Sequence, residues 1–276
     1  MLQFAWVINM NIKIGCCTGI RAMNGAAEIE NLSILAAAGF EYVELPVASV
    51  AGLTNGEYLW LSEVLKESGL RCEAGNALFT GDFRLTGETT SEVDEYCNKA
   101  FSNMAGLGAE AIVFGAGRAR NVPDGFPREK AREQLVQLLR RLGGIAANYG
   151  ITVCLEPLNK SESNIVNSLT EGIDMIAEAN TPGIAILADY YHMALEGEGI
   201  QGIISALERA KSVRLFHTHI ANPDGRVFPD ASDKDDYSEF AKLLKFGKPK
   251  RISVEATVED VEKEAAEAVR VLKGLF

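Results

Sequence analysis

Four side chains that could bind a metal ion recur once per repeat unit in the second half of the chain. Glu156, Asp189, His219 and Glu255 each close a short apolar run, and they are spaced 33, 30 and 36 residues apart. A strand with its crossover helix takes roughly 30 or more residues, so the spacing predicts one such side chain at the carboxyl end of each of four successive strands. In a closed barrel those strand ends meet on the face where the chemistry occurs.

Three carboxylates and an imidazole that converge on one point need a cation between them. Without a cation, the like charges of Glu156, Asp189 and Glu255 would repel one another. One divalent ion removes this conflict, and a mixed oxygen and nitrogen ligand set suits Mn²⁺, Mg²⁺, Co²⁺ or Zn²⁺ without selecting among them.

The three histidines of the chain all lie between 192 and 219. His217 and His219 are two apart on a predicted strand, so both point to the same side of it.

The elements that must position these residues alternate regularly along the chain. Eight strand-like apolar runs are separated by segments with apolar residues at three- and four-residue intervals, which is typical of amphipathic helices. Their alternation, with no Pro/Ser-rich linker, predicts an α/β fold in which residues 1–276 form a single (β/α)8 TIM barrel domain closed by a last helix over 258–276. The predicted strands cover residues 12–16, 41–45, 71–75, 111–115, 151–155, 184–188, 213–219 and 251–255.

Composition limits the classes of partner. The chain has 27 Lys and Arg against 38 Asp and Glu, a net charge of −11, which would repel a phosphate backbone and excludes a basic nucleic-acid surface. No segment reaches the ~20 apolar residues of a membrane span. Residues 1–9 lack the features of a signal peptide and are interpreted as a poorly ordered arm or an upstream start. The five cysteines show no CxxC spacing and indicate reduced thiols in a cytoplasmic protein.

The residues around the four ligands resemble one protein family. Four segments are similar to motifs of the xylose-isomerase-like barrel superfamily. They are Glu156-Pro-Leu-Asn-Lys with Glu162, Asp189-Tyr-Tyr-His192-Met, His217-Thr-His219-Ile-Ala followed by Arg226, and Val254-Glu255-Ala. Within it the pattern is most similar to sugar and sugar-phosphate isomerases and epimerases of the ketose 3-epimerase and hydroxypyruvate isomerase type. The first half of the chain matches in layout, through the Gly-Phe-Glu-Tyr-Val-Glu-Leu segment over 39–45.

This resemblance implies a role for each residue. Glu156, Asp189, His219 and Glu255 would hold one divalent metal ion, and three further residues, Glu162, His192 and Arg226, would contact substrate oxygens. A metal ion acidifies the C–H beside a carbonyl and stabilises the enediolate that forms when the proton leaves. Glu156 and Glu255 would approach the sugar from opposite sides, one removing the proton and the other returning it. The expected partner is a small sugar or sugar phosphate, with the homo-oligomeric state, dimer or tetramer, left open.

Three other functions compete with a sugar isomerase or epimerase. An inosose dehydratase-type lyase would use the same metal and base to eliminate water. An apurinic-site endonuclease would need several metal ions held by additional histidines from earlier strands, yet no histidine precedes His192. A non-catalytic sugar-binding barrel would be expected to have lost one of the four ligands, and none is missing.

Several further residues at predicted strand ends have two interpretations each. Glu44 ends the second strand and could reach the substrate or cap a helix. Arg118 and Arg120, in a glycine-rich turn after the fourth strand, could bind a substrate carboxylate or phosphate or stand in a structural turn. Cys16 and Cys17 end the first strand, and the one that points into the barrel is expected to form pocket wall rather than a nucleophile.

Overall fold

A computed structural model describes residues 11–23, 25–257 and 260–275. Its strands are β1 (Lys13–Cys17), β2 (Ile20–Met23), β3 (Ala26–Ile29), β4 (Tyr42–Pro46), β5 (Arg71–Asn76), β6 (Ala111–Phe114), β7 (Thr152–Leu155), β8 (Ile184–Asp189), β9 (Leu215–Ile220) and β10 (Arg251–Val254). The expectation of an arm over residues 1–9 lies outside the described residues.

The helices complete the repeat pattern. Their bounds are α1 (Leu32–Ala38), α2 (Val47–Gly52), α3 (Asn55–Ser68), α4 (Val93–Leu107), α5 (Gly117–Arg120), α6 (Arg128–Ala147), α7 (Leu169–Ala179), α8 (Tyr190–Glu196), α9 (Ile200–Arg209), α10 (Ser238–Gly247) and α11 (Val261–Leu275). None of these helices is long and apolar enough to cross a membrane.

The predicted eight-stranded barrel is confirmed. Strands β1, β4, β5, β6, β7, β8, β9 and β10 form a closed ring in that order, and β1 also pairs with β10. Every neighbouring pair in the ring is parallel. All the carboxyl ends therefore open on one face of the molecule, as the metal-site prediction requires.

The described residues also contain elements that the sequence pattern did not predict. Strands β2 and β3 form an antiparallel hairpin after β1, and the short helices α2, α5 and α8 follow strands β4, β6 and β8 directly. Segments of four to seven residues are too short for a helical or strand periodicity to stand out. Within the described residues the last helix begins at Val261 rather than at 258.

Two layers of apolar side chains hold the barrel together. The larger layer joins the outer surface of the sheet to the helices, whereas a small cluster that includes Tyr42, Val113 and Leu187 fills the interior of the barrel. Gly15 makes room for the ring of Tyr42 there, since a Cβ at this position would lie 2.2 Å from the Tyr42 Cζ atom. The interior of the barrel is thus a packed core rather than an open channel.

Candidate active site

Four strands place the four predicted ligands at one point in the mouth of the barrel. Glu156 follows β7, Asp189 ends β8, His219 lies in β9 and Glu255 follows β10, and one ligand atom from each lies within 4.8 Å of the others. The register pairs Asp189 with His219 across β8 and β9. Parallel pairing of neighbouring strands therefore sets this cluster, without any long loop.

A glycine on the neighbouring strand end makes room for one of these ligands. A Cβ on Gly115, just after β6, would lie 2.3 Å from the Glu156 Oε2 atom. Any larger residue at this position would push the carboxylate away from the cluster. Gly115 therefore has a role at Glu156, in addition to the turn that the sequence indicates.

The charges of the cluster are not balanced by the protein alone. Burial raises the pKa of Asp189 most strongly, and the charge of Glu156 raises it further, to about 8. Burial also raises the pKa of Glu156, more than the hydrogen bond from His219 lowers it. Burial would raise the pKa of Glu255 too, but the positive charges of His219 and Arg226 lower it to about 2. At neutral pH Asp189 is therefore mostly protonated, and added positive charge in the cluster would favour its charged form.

The donor set fits a divalent cation. Asp189 Oδ1 accepts a hydrogen bond from the backbone N–H of Tyr191 at 2.8 Å and thereby caps helix α8. Its other oxygen, Oδ2, is buried and has no hydrogen-bond partner among the described residues. A buried carboxylate oxygen without a partner is costly unless a ligand or ion satisfies it. Three carboxylates and one imidazole nitrogen match the ligands that such ions take in proteins.

His192 presents a free N–H group toward the cluster. It lies in the first turn of α8 and is buried. Its Nδ1 accepts the backbone N–H of Asn159 at 3.2 Å, so a neutral ring has its proton on Nε2. Burial, followed by the charge of Arg226, lowers the His192 pKa to about 3 and keeps the ring neutral.

The Nε2 group of His192 lies 3.4 Å from Asp189 Oδ2, without hydrogen-bond geometry. Within the described part of the chain it has no hydrogen-bond partner. The group is thus available to donate to an oxygen atom that enters the site.

Arg226 lies beside the cluster, on the loop after β9. Its guanidinium donates to Glu255 Oε2 at 2.7 Å and to Glu162 Oε1 at 3.3 Å, and it stacks 4.7 Å from the centre of the Tyr191 ring. Its backbone has a φ of 52°, in the left-handed region that costs non-glycine residues energy. The side chain is partly exposed, as is that of Glu162. Both predicted substrate-binding residues therefore border the cluster at its open side.

Glu44 has neither of the roles considered from its sequence position. It is fully buried in β4 and accepts hydrogen bonds from His217, His219 and Ser253. The N-cap of the following helix α2 is Pro46, with no side-chain cap. Glu44 thus lies behind His219 and has no exposed surface.

The two arginines of the turn after β6 differ in environment. Arg120 is fully buried and donates to the backbone oxygens of Glu156, Phe114 and Val166 at 2.8, 3.3 and 3.3 Å. It therefore stabilises the loop that begins at Glu156 and does not bind a substrate anion. Arg118 is exposed.

Cys17 is the member of its pair that points into the barrel. It lies near Glu44 and His219, while Cys16 packs in the outer core. Burial, with the charge of Glu44, raises the pKa of the Cys17 thiol well above its usual value. A neutral thiol agrees with the expectation of a pocket wall rather than a nucleophile.

Two polar residues of the site could not be singled out from the sequence. Asn159 donates through its side chain to Glu162 Oε1 at 3.1 Å and to the ring of His192, and Asn76 lies 3.4 Å from Glu255 Oε1. Asn159 lies within the Glu156-Pro-Leu-Asn-Lys motif, and this position was the feature of the sequence that could have indicated its role. Asn76 ends β5, so its position at a strand end was the only indication.

Comparison with known proteins extends these observations. The sequence model of a family described as xylose isomerase-like TIM barrel matches residues 32–275. An L-ribulose 3-epimerase of Methylomonas sp. is 27% identical over 187 residues, which cover 67% of this chain and 64% of that relative, slightly less than two thirds of its length. A 3-dehydro-D-guloside 4-epimerase of Escherichia coli is 26% identical over 227 residues, which cover 80% of this chain and 75% of that protein.

A solved structure shows the same fold. The crystal structure of a D-allulose 3-epimerase from Methylomonas sp. in complex with D-allulose superposes with a TM-score of 0.78 at 21% identity. The match covers 97% of this chain and 98% of that chain.

Proposed function

Because the chain belongs to the xylose isomerase-like TIM barrel family, we propose that it is a metal-dependent sugar epimerase or isomerase that moves a proton at a carbon beside a carbonyl group. The observation that carries this proposal is the cluster of Glu156, Asp189, His219 and Glu255 at the barrel mouth. We propose that residues 1–276 form one catalytic domain.

The four clustered residues would hold the ion. When bound, a divalent metal supplies a Lewis acid that acidifies the C–H and stabilises the negative charge of the enediolate. Glu156 and Glu255 come from strands β7 and β10, on different sides of the mouth. One of the two would accept the proton from the substrate carbon as a carboxylate, and the other, as a carboxylic acid, would give a proton to that carbon from the opposite face of the sugar.

The residues around the cluster orient the substrate. The His192 Nε2–H donates to a carbonyl or hydroxyl oxygen, because its other nitrogen is already an acceptor for Asn159. Arg226 and Glu162, which are paired at the open side, bind further hydroxyl groups. Arg226 already forms ion pairs with two carboxylates. Because its charge is neutralised by these carboxylates, the site favours an uncharged sugar over a sugar phosphate.

Epimerisation is favoured over the dehydratase alternative. Both relatives named above are epimerases, and elimination of water would need a proton donor for the leaving hydroxyl. Protonated His192 would be such a donor, but its low pKa keeps the ring neutral. We therefore propose no lyase function.

An exchange experiment tests the proposal. The Mn²⁺-loaded protein is incubated with a panel of free ketoses and their phosphates in D₂O, and deuterium in the recovered sugar is located by NMR. Incorporation at one carbon beside the carbonyl, absent after treatment with a chelator, is the expected result. Conversion of a sugar without deuterium uptake would contradict proton transfer through a carboxylate.

A further inference from the structure

A buried carboxylate stands directly behind the histidine of the cluster. Glu44 Oε1 lies 3.0 Å from His219 Nε2, and Glu44 Oε2 lies 2.7 Å from His217 Nε2 and 2.6 Å from Ser253 Oγ. All these side chains lie inside the barrel, and Glu44, His217, His219 and Ser253 are fully buried. The register places them side by side, since His219 pairs with Ser253 across β9 and β10.

The hydrogen bonds around Glu44 have one consistent direction. A carboxylate can only accept, so His217, His219 and Ser253 must each donate to it. Ser253 has a single hydroxyl proton, so the 2.8 Å contact between Ser253 Oγ and the Tyr42 hydroxyl requires Tyr42 to be the donor. Three donors thus satisfy one buried carboxylate, and none of them can be removed without effect on the others.

This arrangement fixes which nitrogen of His219 faces the cluster. Because Nε2 donates its proton to Glu44, a neutral His219 ring has its free lone pair on Nδ1. Nδ1 lies 3.2 Å from Glu156 Oε1 and 3.3 Å from Glu255 Oε2. Ring nitrogens of metal-binding histidines depend in this way on a partner at the other nitrogen, which sets the ring orientation and raises the basicity of the ligand.

We propose that Glu44 is a positioning residue, which orients His219 and holds the proton on Nε2 so that Nδ1 binds the metal ion. The inference rests on the proposed metal-dependent function and goes beyond it, because Glu44 itself contacts neither metal nor substrate. Strand β4 thereby contributes to a centre whose ligands all come from β7 to β10.

A different role for the same residues is a second metal site. Cys17, Glu44 and His219 each offer one ligand atom within 4.8 Å of the other two. Both oxygens of Glu44 are, however, occupied by hydrogen-bond donors, and its contact with His219 Nε2 has the length of a hydrogen bond. One metal ion per chain follows from the positioning role, and two would follow from a second site.

The first test uses the unaltered protein. With ¹⁵N-labelled histidine and Zn²⁺, which is diamagnetic, the spectrum contains only three imidazole rings, His192, His217 and His219. The positioning role predicts one Zn²⁺ per chain, bound at Nδ1 of His219, with a proton retained on Nε2. Zinc at Nε2, or two ions per chain, would overturn it. If the unaltered protein bound no zinc, the proposed metal-dependent function would fail, and this inference with it.

The second test is a matched pair of variants. Glu44→Gln removes the negative charge. Its amide N–H also faces the donor groups of His217, His219 and Ser253 and cannot accept from them. We therefore expect Zn²⁺ to bind about 10- to 100-fold more weakly. Tyr42→Phe removes a hydroxyl from the same buried network without touching His219, and its Zn²⁺ affinity should stay within about threefold of the unaltered protein. Calorimetric titration of Zn²⁺ measures both. Equal affinities for Glu44→Gln and the unaltered protein would overturn the positioning role while leaving the proposed function intact.

Discussion

Asp189 is the carboxylate whose protonation the metal ion would change most. In the metal-free protein, burial and the charge of Glu156 raise its pKa to about 8, whereas Glu255, which faces His219 and Arg226, has a pKa of about 2. A metal ligand must be deprotonated. At neutral pH, binding of a divalent ion therefore has to release the proton of Asp189 and one proton of His219, while Glu255 is already charged. Burial would lower the pKa of His219, but the charges of Glu44 and Glu255 raise it well above its usual value.

Metal affinity should consequently depend on pH. Below pH 8 a cation competes with the proton on Asp189, so the affinity should rise as the pH is raised from 6 to 8, by up to about tenfold per pH unit for each proton released. Calorimetry in buffers of different ionisation enthalpy would count the protons released. An affinity that stays constant from pH 6 to 9 would show that Asp189 is charged without the ion.

The two glutamates of the cluster should both be essential for turnover. Glu156→Gln and Glu255→Gln each keep the side-chain shape but cannot accept a proton, and general acid–base groups contribute about 10² to 10⁴-fold to a rate. We expect kcat to fall by at least about 10²-fold in each variant. Glu129→Gln, at an exposed position in the first turn of α6, is the matched control. A variant that retained more than about a tenth of the rate would exclude its glutamate as an essential base.

Arg226 offers a test of substrate binding apart from metal binding. Arg226→Ala removes the guanidinium that pairs with Glu162 and Glu255 but none of the four ligands. It should raise KM or lower kcat without changing the metal content, as measured by steady-state kinetics and metal analysis of the same sample. Loss of metal would instead make Arg226 a support of the centre, and unchanged kinetics would remove it from the site.

At the scale of elements, short helices position several site residues. The sequence pattern did not predict these helices. The eight barrel strands were predicted to within one or two residues because buried parallel strands are continuous apolar runs. Helix α8 was missed because its seven residues are too few for a helical periodicity to stand out. The role of Glu44 was missed because it depends on strand register, which brings β4, β9 and β10 together from positions far apart in the chain.

Arg120 of helix α5 stabilises the loop that begins at Glu156, and Arg118 of the same helix offers a matched control variant. Arg120→Met would leave the carbonyl oxygens of Phe114, Glu156 and Val166 without their donor, and should lower the free energy of unfolding by at least about 2 kcal/mol. Arg118→Met, two residues away and exposed, should change it by less than about 0.5 kcal/mol. Urea unfolding of both variants measures the difference. Equal stabilities would show that Arg120 does not stabilise this loop.

At the scale of the whole molecule, closure of the barrel is what converts four separate strand ends into one centre. The sequence predicted the four residues because their spacing follows the length of one strand and helix, and the ring of parallel strands then brings them within 4.8 Å. The polar residues that orient the ligands have no such periodicity. These polar residues could be identified only from the three-dimensional structure of the closed barrel.

The most direct test is a crystal structure of the protein soaked in Mn²⁺, with the ion located by anomalous scattering. We predict one strong peak bound by Glu156, Asp189, His219 and Glu255, with ligand distances of about 2.0 to 2.6 Å. A peak elsewhere, or these four side chains dispersed to more than about 6 Å from a common point, well beyond such ligand distances, would contradict a single metal centre at the mouth of the barrel.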